Sequence, residues 1–256
     1  MPKITGTIPL NDPGMEVYKL PTGTFGFSAT RLADLGATEY TLATVVVDCS
    51  GSVALFKADL ESALKEIVQA CKLSPRADNL MLRIVGFNTT LFEIHGYKLL
   101  SACNLDDYKD CLVLGGMTAL FDATENAVEA ATAYAKTLSA NDFSTNAIVV
   151  VLTDGADNAS KGFATDVKKV LDQATKTEAV ESLVSILIGV GTKQEPQLSQ
   201  FLQDFQIGAG ITQYVEIGDA NAKTLAKLAA FISKSISMQS QSLGTGGPSK
   251  LTSLSI

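Results

Sequence analysis

The chain alternates between short, continuously apolar runs and longer segments with helical periodicity. The apolar runs are rich in β-branched residues and predict strands buried on both faces; they lie at 41–48, 79–88, 91–100, 147–155, 181–191 and 212–219. Segments with apolar residues three and four positions apart predict helices, at 53–73, 119–138, 165–177, 197–205 and 221–239. This alternation predicts an α/β fold, a doubly wound, Rossmann-like and mostly parallel central sheet with helices on both faces.

One pair of strands breaks the alternation. Only the Asn88–Thr90 turn connects 79–88 with 91–100, and it is too short to hold a crossover helix. We therefore expect this pair to be antiparallel, with one of its strands at the edge of the sheet.

The two ends of the chain differ from its middle in composition. Residues 1–39 carry Pro, Gly and Thr with little periodicity and predict an N-terminal extended arm, with a short strand near 15–20. Residues 241–256 are rich in Gly and Ser and predict a C-terminal tail. A chain of 256 residues is long enough for one large domain with a buried core, here 40–240.

The net charge, the length of the apolar runs and the cysteine spacing indicate where the protein is located and which classes of partner it binds. The net charge of −7 disfavours nucleic acid and anionic membrane surfaces as partners. The longest apolar stretches, such as 183–190, are too short to span a bilayer, and the first residues lack the pattern of a secretory signal. The four cysteines have no CxxC spacing and are typical of reduced core thiols. We expect a cytoplasmic protein that binds neither nucleic acid nor membrane.

Oxygen donors follow two of the predicted strands and one glycine turn. Asp48, Ser50 and Ser52 come at the end of the run TVVVDCSGS, Thr118 lies in GGMTAL, and Asp154 ends a later strand. Ligands of open parallel sheets bind beyond the carboxyl ends of the strands, and converging hard oxygens suit Mg²⁺ or Mn²⁺. Asp48, Ser50 and Ser52 alone would equally fit a cap of the following helix. A helix cap, however, explains neither Thr118 nor Asp154.

These residues resemble the metal-ion-dependent adhesion site (MIDAS) of the von Willebrand factor A (VWA) family. The family pattern is Asp-x-Ser-x-Ser, then a Thr after a glycine turn, then an Asp that ends a later strand. The resemblance covers residues 40–240 and implies a complete site with five metal ligands, Asp48, Ser50, Ser52, Thr118 and Asp154. It further implies Mg²⁺, with Mn²⁺ or Ca²⁺ as alternatives, and an open coordination position that accepts an Asp or Glu of a partner protein.

Five further residues are candidates to support the site. Asp157 and Asn158 either hydrogen-bond to the metal ligands or belong to an ordinary polar loop. Asp122 either supports the site or caps its helix locally. We expect Gly51 to serve the sharp turn between the serines and Gly116 to let the backbone approach the metal closely.

Enzymatic alternatives fit the sequence poorly. An aspartyl-phosphate phosphatase needs a second carboxylate two residues after Asp48, where this chain has Ser50. A serine nucleophile needs a base, and the single histidine, His95, lies inside a predicted strand. No phosphate-binding GxxxxGK[ST] loop is present. We therefore predict no catalytic residues.

Two functional hypotheses remain. The first is a non-enzymatic module that binds a partner protein through the metal. Intracellular stand-alone VWA members serve as subunits of larger machines, with partners such as MoxR-type AAA+ ATPases or stress-response complexes, and the short architecture here is similar to the TerY-like group. The second is a self-assembling structural subunit, a homo-oligomer whose arm and tail bind neighbouring copies while the metal stabilises the fold. In some VWA members the last helix moves when ligand binds; here that helix is 221–239.

Overall fold

The computed structural model describes residues 5–8, 14–20, 25–246, 251 and 253. Within these residues a nine-stranded sheet is flanked by helices. The strands are β1 Gly6–Thr7, β2 Met15–Tyr18, β3 Phe27–Thr30, β4 Glu39–Asp48, β5 Leu80–Phe87, β6 Leu91–Leu99, β7 Ser144–Thr153, β8 Leu183–Val190 and β9 Gln213–Ile217. The α-helices are α1 Lys57–Lys72, α2 Leu120–Ser139, α3 Ala164–Lys176, α4 Pro196–Ala209 and α5 Ala222–Thr245.

The sheet is mostly parallel. Its strand order is β2-β3-β6-β5-β4-β7-β8-β9, with β1 also paired to β6. Strands β5, β4, β7, β8 and β9 run parallel to one another, whereas β6 runs antiparallel to β5 and β2 antiparallel to β3. The predicted fold class, a mostly parallel α/β sheet with helices on both faces, is confirmed.

Two hydrophobic cores lie on the two faces of the sheet. Helices α1 and α5 bury residues such as Leu64 and Ile232 against one face. Helices α2, α3 and α4 cover the other face, where the small residues of α2, including Ala127 and Ala131, are fully buried. None of the helices in the described ranges combines the length and apolarity needed to cross a membrane.

The antiparallel pair β5–β6 forms as predicted, but β6 does not lie at the edge of the sheet. Strands β1 and β3 pair in parallel on its outer side, and β2 becomes the edge strand. All four residues of β3 are buried. Both the backbone N–H and the hydroxyl of Ser28 donate to the Glu93 carboxylate, at 3.0 and 2.7 Å. Residues 27–30 of the predicted arm therefore belong to the core.

Helix α5 is longer than the predicted helix 221–239. It continues through Thr245 and ends at Gly246, whose φ of 63° is left-handed, so residues 241–245 of the predicted tail are helical. Near its end, the Gln239 carbonyl accepts from the Asn146 side chain at 2.6 Å, and the Gln239 amide donates to the Ser182 hydroxyl at 2.7 Å. These bonds fix the position of α5 along β7, and any axial shift of the helix would break them.

Candidate metal centre

The candidate site lies where the parallel strands β4 and β7 end. Val47 of β4 pairs with Leu152 of β7, so Asp48 and Thr153 leave the sheet side by side. The Thr153 hydroxyl donates to one Asp48 carboxylate oxygen at 2.7 Å, and the Ser50 backbone N–H donates to the other at 2.8 Å. Because both oxygens accept a hydrogen bond, the orientation of the Asp48 carboxylate is fixed before any ligand binds.

A chain of oxygen atoms runs from the turn after β4 to the end of β7. The hydroxyls of Ser50 and Ser52 share a hydrogen bond of 3.0 Å. The Ser52 hydroxyl donates to a carboxylate oxygen of Asp154 at 2.9 Å. Residues 102 positions apart in sequence thus meet directly, as the carboxyl ends of neighbouring parallel strands allow.

Thr118 joins this group from the loop before α2. Its backbone N–H donates to the Asn158 side chain at 2.7 Å, and its carbonyl accepts from the Asn158 N–H at 3.0 Å. A methyl group in place of the Gly155 hydrogen would lie 3.5 Å from the Thr118 hydroxyl oxygen. The Thr118 hydroxyl therefore faces the residue that follows Asp154, and all five predicted ligands lie in one region.

Three predicted supporting residues connect the loop after β7 to the start of α2. Asn158 positions Thr118, as described above. Asp157 accepts from the Phe121 backbone N–H at 3.3 Å. Asp122 accepts from the Gly162 N–H at 2.9 Å, so it stabilises this loop rather than capping its own helix. The loop that carries Asp154 and the loop that carries Thr118 are therefore held at a fixed separation.

The glycine positions near the site differ in whether the backbone conformation and the available space demand a glycine. Gly116 has a left-handed φ of 75°, and a Cβ there would lie 2.8 Å from the Thr89 hydroxyl oxygen. The N–H of Gly115 donates to the Cys49 carbonyl at 2.9 Å and ties this loop to the turn after β4. Gly51 has open space around its Cβ position and no left-handed φ. Contrary to the sequence prediction, the backbone there does not require a glycine.

The two carboxylates carry negative charge into a largely buried region. Asp48 is 2% exposed, and burial raises its pKa against the hydrogen bonds from Thr153 and Ser50. Burial raises the pKa of Asp154 to about 6; the Asp48 charge adds to this shift and the Ser52 hydrogen bond opposes it. Within the described part of the chain, neither carboxylate forms an ion pair with Lys or Arg. A bound cation would stabilise both charged forms.

The donor atoms fit a hard divalent cation. Three hydroxyls and two carboxylates are fewer ligands than the six of octahedral Mg²⁺, which leaves a coordination position for water or a partner's oxygen. Among the described residues no group of three or more His, Cys, Asp or Glu side chains is placed to hold a metal. The site therefore differs from the nitrogen- and sulfur-rich sites that hold structural zinc.

Thr153 is a functional candidate that sequence reasoning missed. It precedes Asp154 directly in the run VVVLTDG, where it reads as one more β-branched strand residue. Only the register of β4 against β7 brings its hydroxyl to Asp48.

The single histidine, His95, lies on β6. Its ring nitrogens are hydrogen-bonded to the Gly96 carbonyl and the Tyr108 hydroxyl, at 2.9 and 2.8 Å.

Comparisons with solved structures identify proteins that share this fold. No protein-family model and no curated protein matches the sequence. Among solved structures, a D319A mutant of the PilB minor pilin from Streptococcus sanguinis matches with a TM-score of 0.59 and 15% identity, over 86% of this chain and 66% of that one. The pilus adhesin SpaC from Lactobacillus rhamnosus GG matches with a TM-score of 0.56 and 10% identity, over 90% of this chain and 33% of that one.

A third neighbour is proximal thread matrix protein 1 from the mussel byssus. It matches with a TM-score of 0.53 and 19% identity, over 78% of this chain and 47% of that one. The chain has a VWA-like fold. One structure of the mussel protein, with a TM-score of 0.50, is described as having a zinc-occupied MIDAS motif. Identities this low show the fold alone, and this chain spans at most about two thirds of each neighbour's length.

Proposed function

We propose that this chain is a non-enzymatic, divalent-metal-dependent protein-binding module. The observation that carries the proposal is the continuous contact of Ser50, Ser52 and Asp154 beside an Asp48 carboxylate that Thr153 orients. Thr118 lies on the adjacent loop, and the two carboxylates have no cationic partner within the described ranges. Such a set of donors is suited to bind one cation and leave it accessible.

The proposed ligands are Asp48, Ser50, Ser52, Thr118 and Asp154, directly or through water. A bound divalent cation supplies a positively charged position that an incoming carboxylate oxygen can occupy. The hydroxyls contribute no charge, so the two Asp residues neutralise the cation without making the site repel an acidic ligand. Mg²⁺ is the proposed metal, with Mn²⁺ or Ca²⁺ as alternatives. The zinc-occupied motif described for the mussel protein supports a divalent cation on this fold.

The proposed partner is a protein that presents an Asp or Glu to the metal. Neighbours described as a minor pilin, a pilus adhesin and a thread matrix protein support a role in adhesion or assembly. An AAA+ ATPase or a stress-response complex of the TerY-like kind remains a proposed partner, and the cytoplasmic location remains a prediction. A non-enzymatic role is supported by the single histidine, His95 of β6, which is buried and hydrogen-bonded to the Tyr108 hydroxyl.

Calorimetric titration with Mg²⁺, Mn²⁺ and Ca²⁺ tests the metal site. We expect wild type to bind, Asp48→Ala to lose binding while retaining its circular dichroism spectrum, and Asp172→Ala to bind like wild type. Asp172 is a matched control because its carboxylate is half exposed on α3, in a surface pair with Lys168. Equal metal affinity in wild type and Asp48→Ala would show that the ligands are assigned wrongly.

Self-assembly is the competing proposal, and the edge strand β2 is where a neighbouring copy could pair. Its residues Glu16 and Val17 are exposed. Light scattering in Mg²⁺ and in EDTA separates the two functions. A monomer under both conditions supports the binding module, whereas an assembly that forms regardless of metal and survives Asp48→Ala would favour the structural subunit.

A further inference from the structure

Several exposed apolar side chains lie on the loops that carry the proposed metal ligands. Among the described residues, eight large hydrophobic side chains are more than half exposed. Half of this set lies on loops that carry or contact the proposed metal ligands: Leu55, Val113, Met117 and Phe163. We call these four residues the hydrophobic rim. Single exposed apolar residues are ordinary, whereas exposed apolar residues grouped around a ligand site are a candidate contact surface for a partner.

Two rim residues lie within three positions of proposed metal ligands in sequence. Leu55 is 95% exposed and lies three residues after Ser52, in the 3-10 turn Gly51–Phe56. Met117 is 52% exposed and immediately precedes Thr118. The Met117 backbone N–H donates to the Thr89 hydroxyl at 3.0 Å, so its exposed position is held by the fold.

The other two rim residues are on loops tied to the site. Val113, 63% exposed, precedes Gly115, whose N–H is bound to the Cys49 carbonyl beside Asp48. Phe163, 70% exposed, follows Gly162, whose N–H is bound to Asp122. Three separate loops thus present apolar side chains. Hydrogen bonds to Thr89, Cys49 and Asp122 hold two of these loops, and Leu55 lies in a 3-10 turn. A partner would meet a preorganised surface.

We propose that the site recognises an acidic residue flanked by apolar residues in a protein partner. This inference rests on the proposed function. A carboxylate oxygen that completes the coordination must come within about 2.0–2.6 Å of the cation. The neighbouring residues of an extended ligand are spaced by about 3.3 Å, so they approach the loops that carry both the proposed metal ligands and the rim. Apolar flanks would bury Leu55 and Phe163, whereas polar flanks would lose water contacts there without compensation.

The rim is distinct from the other exposed hydrophobics of the molecule. Leu73 follows the end of α1, and Ile207 lies in the last turn of α4. Both positions are at the end of the sheet where the parallel strands begin, away from Asp48. They provide matched controls because each is a large exposed apolar residue that no partner carboxylate at the metal would bring into contact.

Fluorescence polarisation with two pools of labelled synthetic peptides tests the inference. Each peptide has one central Glu; the flanking residues are Leu, Ile, Val or Phe in one pool and Ser, Thr, Asn or Gln in the other. In Mg²⁺ we expect the apolar pool to bind roughly tenfold more tightly, which is the effect of burying about one large apolar side chain. Leu55→Ser and Phe163→Ser should each remove most of that preference, whereas Leu73→Ser and Ile207→Ser should leave it unchanged.

The outcomes separate this inference from the proposed function. If both pools bind equally in Mg²⁺ and not in EDTA, the rim inference is wrong and the metal-dependent module stands. If calorimetry shows bound Mg²⁺ but neither pool binds, the proposed function fails as well. If wild type dimerises in Mg²⁺ and Leu55→Ser is monomeric, the rim binds a second copy of the chain, which also overturns the inference.

Discussion

The hydroxyl of Thr153 donates a 2.7 Å hydrogen bond to the carboxylate of Asp48, so a residue of β7 orients the proposed metal ligand at the end of β4. The same hydroxyl oxygen also accepts from the Gly155 N–H at 3.1 Å and lies 3.0 Å from the Gly155 carbonyl oxygen. Thr153 therefore connects the Asp48 ligand to the loop that carries Asp154. Residues that orient a metal ligand in this way influence affinity without touching the metal.

Replacement of Thr153 by Val should weaken Mg²⁺ binding by about 10–100-fold, because the Asp48 carboxylate loses the group that orients it. Thr153→Ser keeps the hydroxyl and should bind nearly as well as wild type. Calorimetric titration of both variants measures the effect. Wild-type affinity in Thr153→Val would mean that the Ser50 N–H alone orients Asp48.

Stability should depend on pH differently with and without metal. The pKa of Asp154 in the metal-free protein is about 6, above the ordinary value of 3.8. Between these values the folded protein holds a proton that the unfolded chain has lost, so this residue's stabilising contribution is fully present below about pH 3.8 and is lost as pH rises through about 6. Metal binding requires the charged carboxylate and therefore weakens as pH falls below about 6.

Thermal melting in EDTA and in Mg²⁺, at a pH well above 6 and at one well below it, measures this dependence. We expect Mg²⁺ to raise the melting temperature at the higher pH and to have little effect at the lower one, since ligand stabilisation follows affinity. Asp154→Asn should melt at the same temperature with and without Mg²⁺. A gain from Mg²⁺ that is equal at both pH values would contradict the role of Asp154 as a ligand.

The buried pair of Arg83 and Glu93 should be costly to break. The guanidinium donates to Glu93 at 2.7 Å and to the Asn126 side chain at 3.2 Å, and both charged side chains are fully buried. Glu93→Ala should lower the free energy of unfolding by about 3–5 kcal/mol, because it leaves a buried unpaired charge. The control Asp172→Ala removes an exposed pair worth at most about 1 kcal/mol. Urea unfolding measures both, and similar losses would contradict this explanation.

Phe27 should behave as a core residue although it lies in the segment predicted to be an arm. It is fully buried and stacks on Tyr18 at a ring-centroid distance of 5.1 Å. Phe27→Ala should cost about 3–5 kcal/mol of unfolding free energy, whereas Val17→Ala on the exposed side of β2 should cost about 0.5 kcal/mol or less. A small loss in Phe27→Ala would mean that β3 is dispensable for the domain.

The central strands could be predicted because strands that are buried on both faces consist of continuous apolar, β-branched residues. The run Val45–Val47 is covered on both faces, and its continuous β-branched pattern follows directly from that burial. Strand β3 gave no such signal. Its residues Ser28 and Thr30 are polar but buried, because Glu93 and the Tyr97 carbonyl pair with them. Pattern reasoning assigns polar residues to the surface, and the partners that compensate them lie far away in sequence.

In the proposed site, too, some residues could be predicted from the sequence and others could not. Strand ends identified Asp48 and Asp154 as neighbours, because parallel strands end at one edge of the sheet. The contribution of Thr153 depends on the register of β4 against β7, which no single segment encodes. The assignment of the five ligands, the metal and the partner remains a prediction for the titrations above to test.

The position of β3 beside β6 has a consequence for synthesis on the ribosome. Ser28 emerges 65 residues before Glu93, the residue that satisfies its N–H and hydroxyl. At translation rates of about 5–20 residues per second, Phe25 and Phe27 stay without strand β6 for roughly 3–13 seconds. During that interval the nascent chain exposes two aromatic residues that the finished domain buries completely or nearly so. Residues 25–30 therefore stay without their partner strand during this interval, and a chaperone that binds aromatic side chains would protect them.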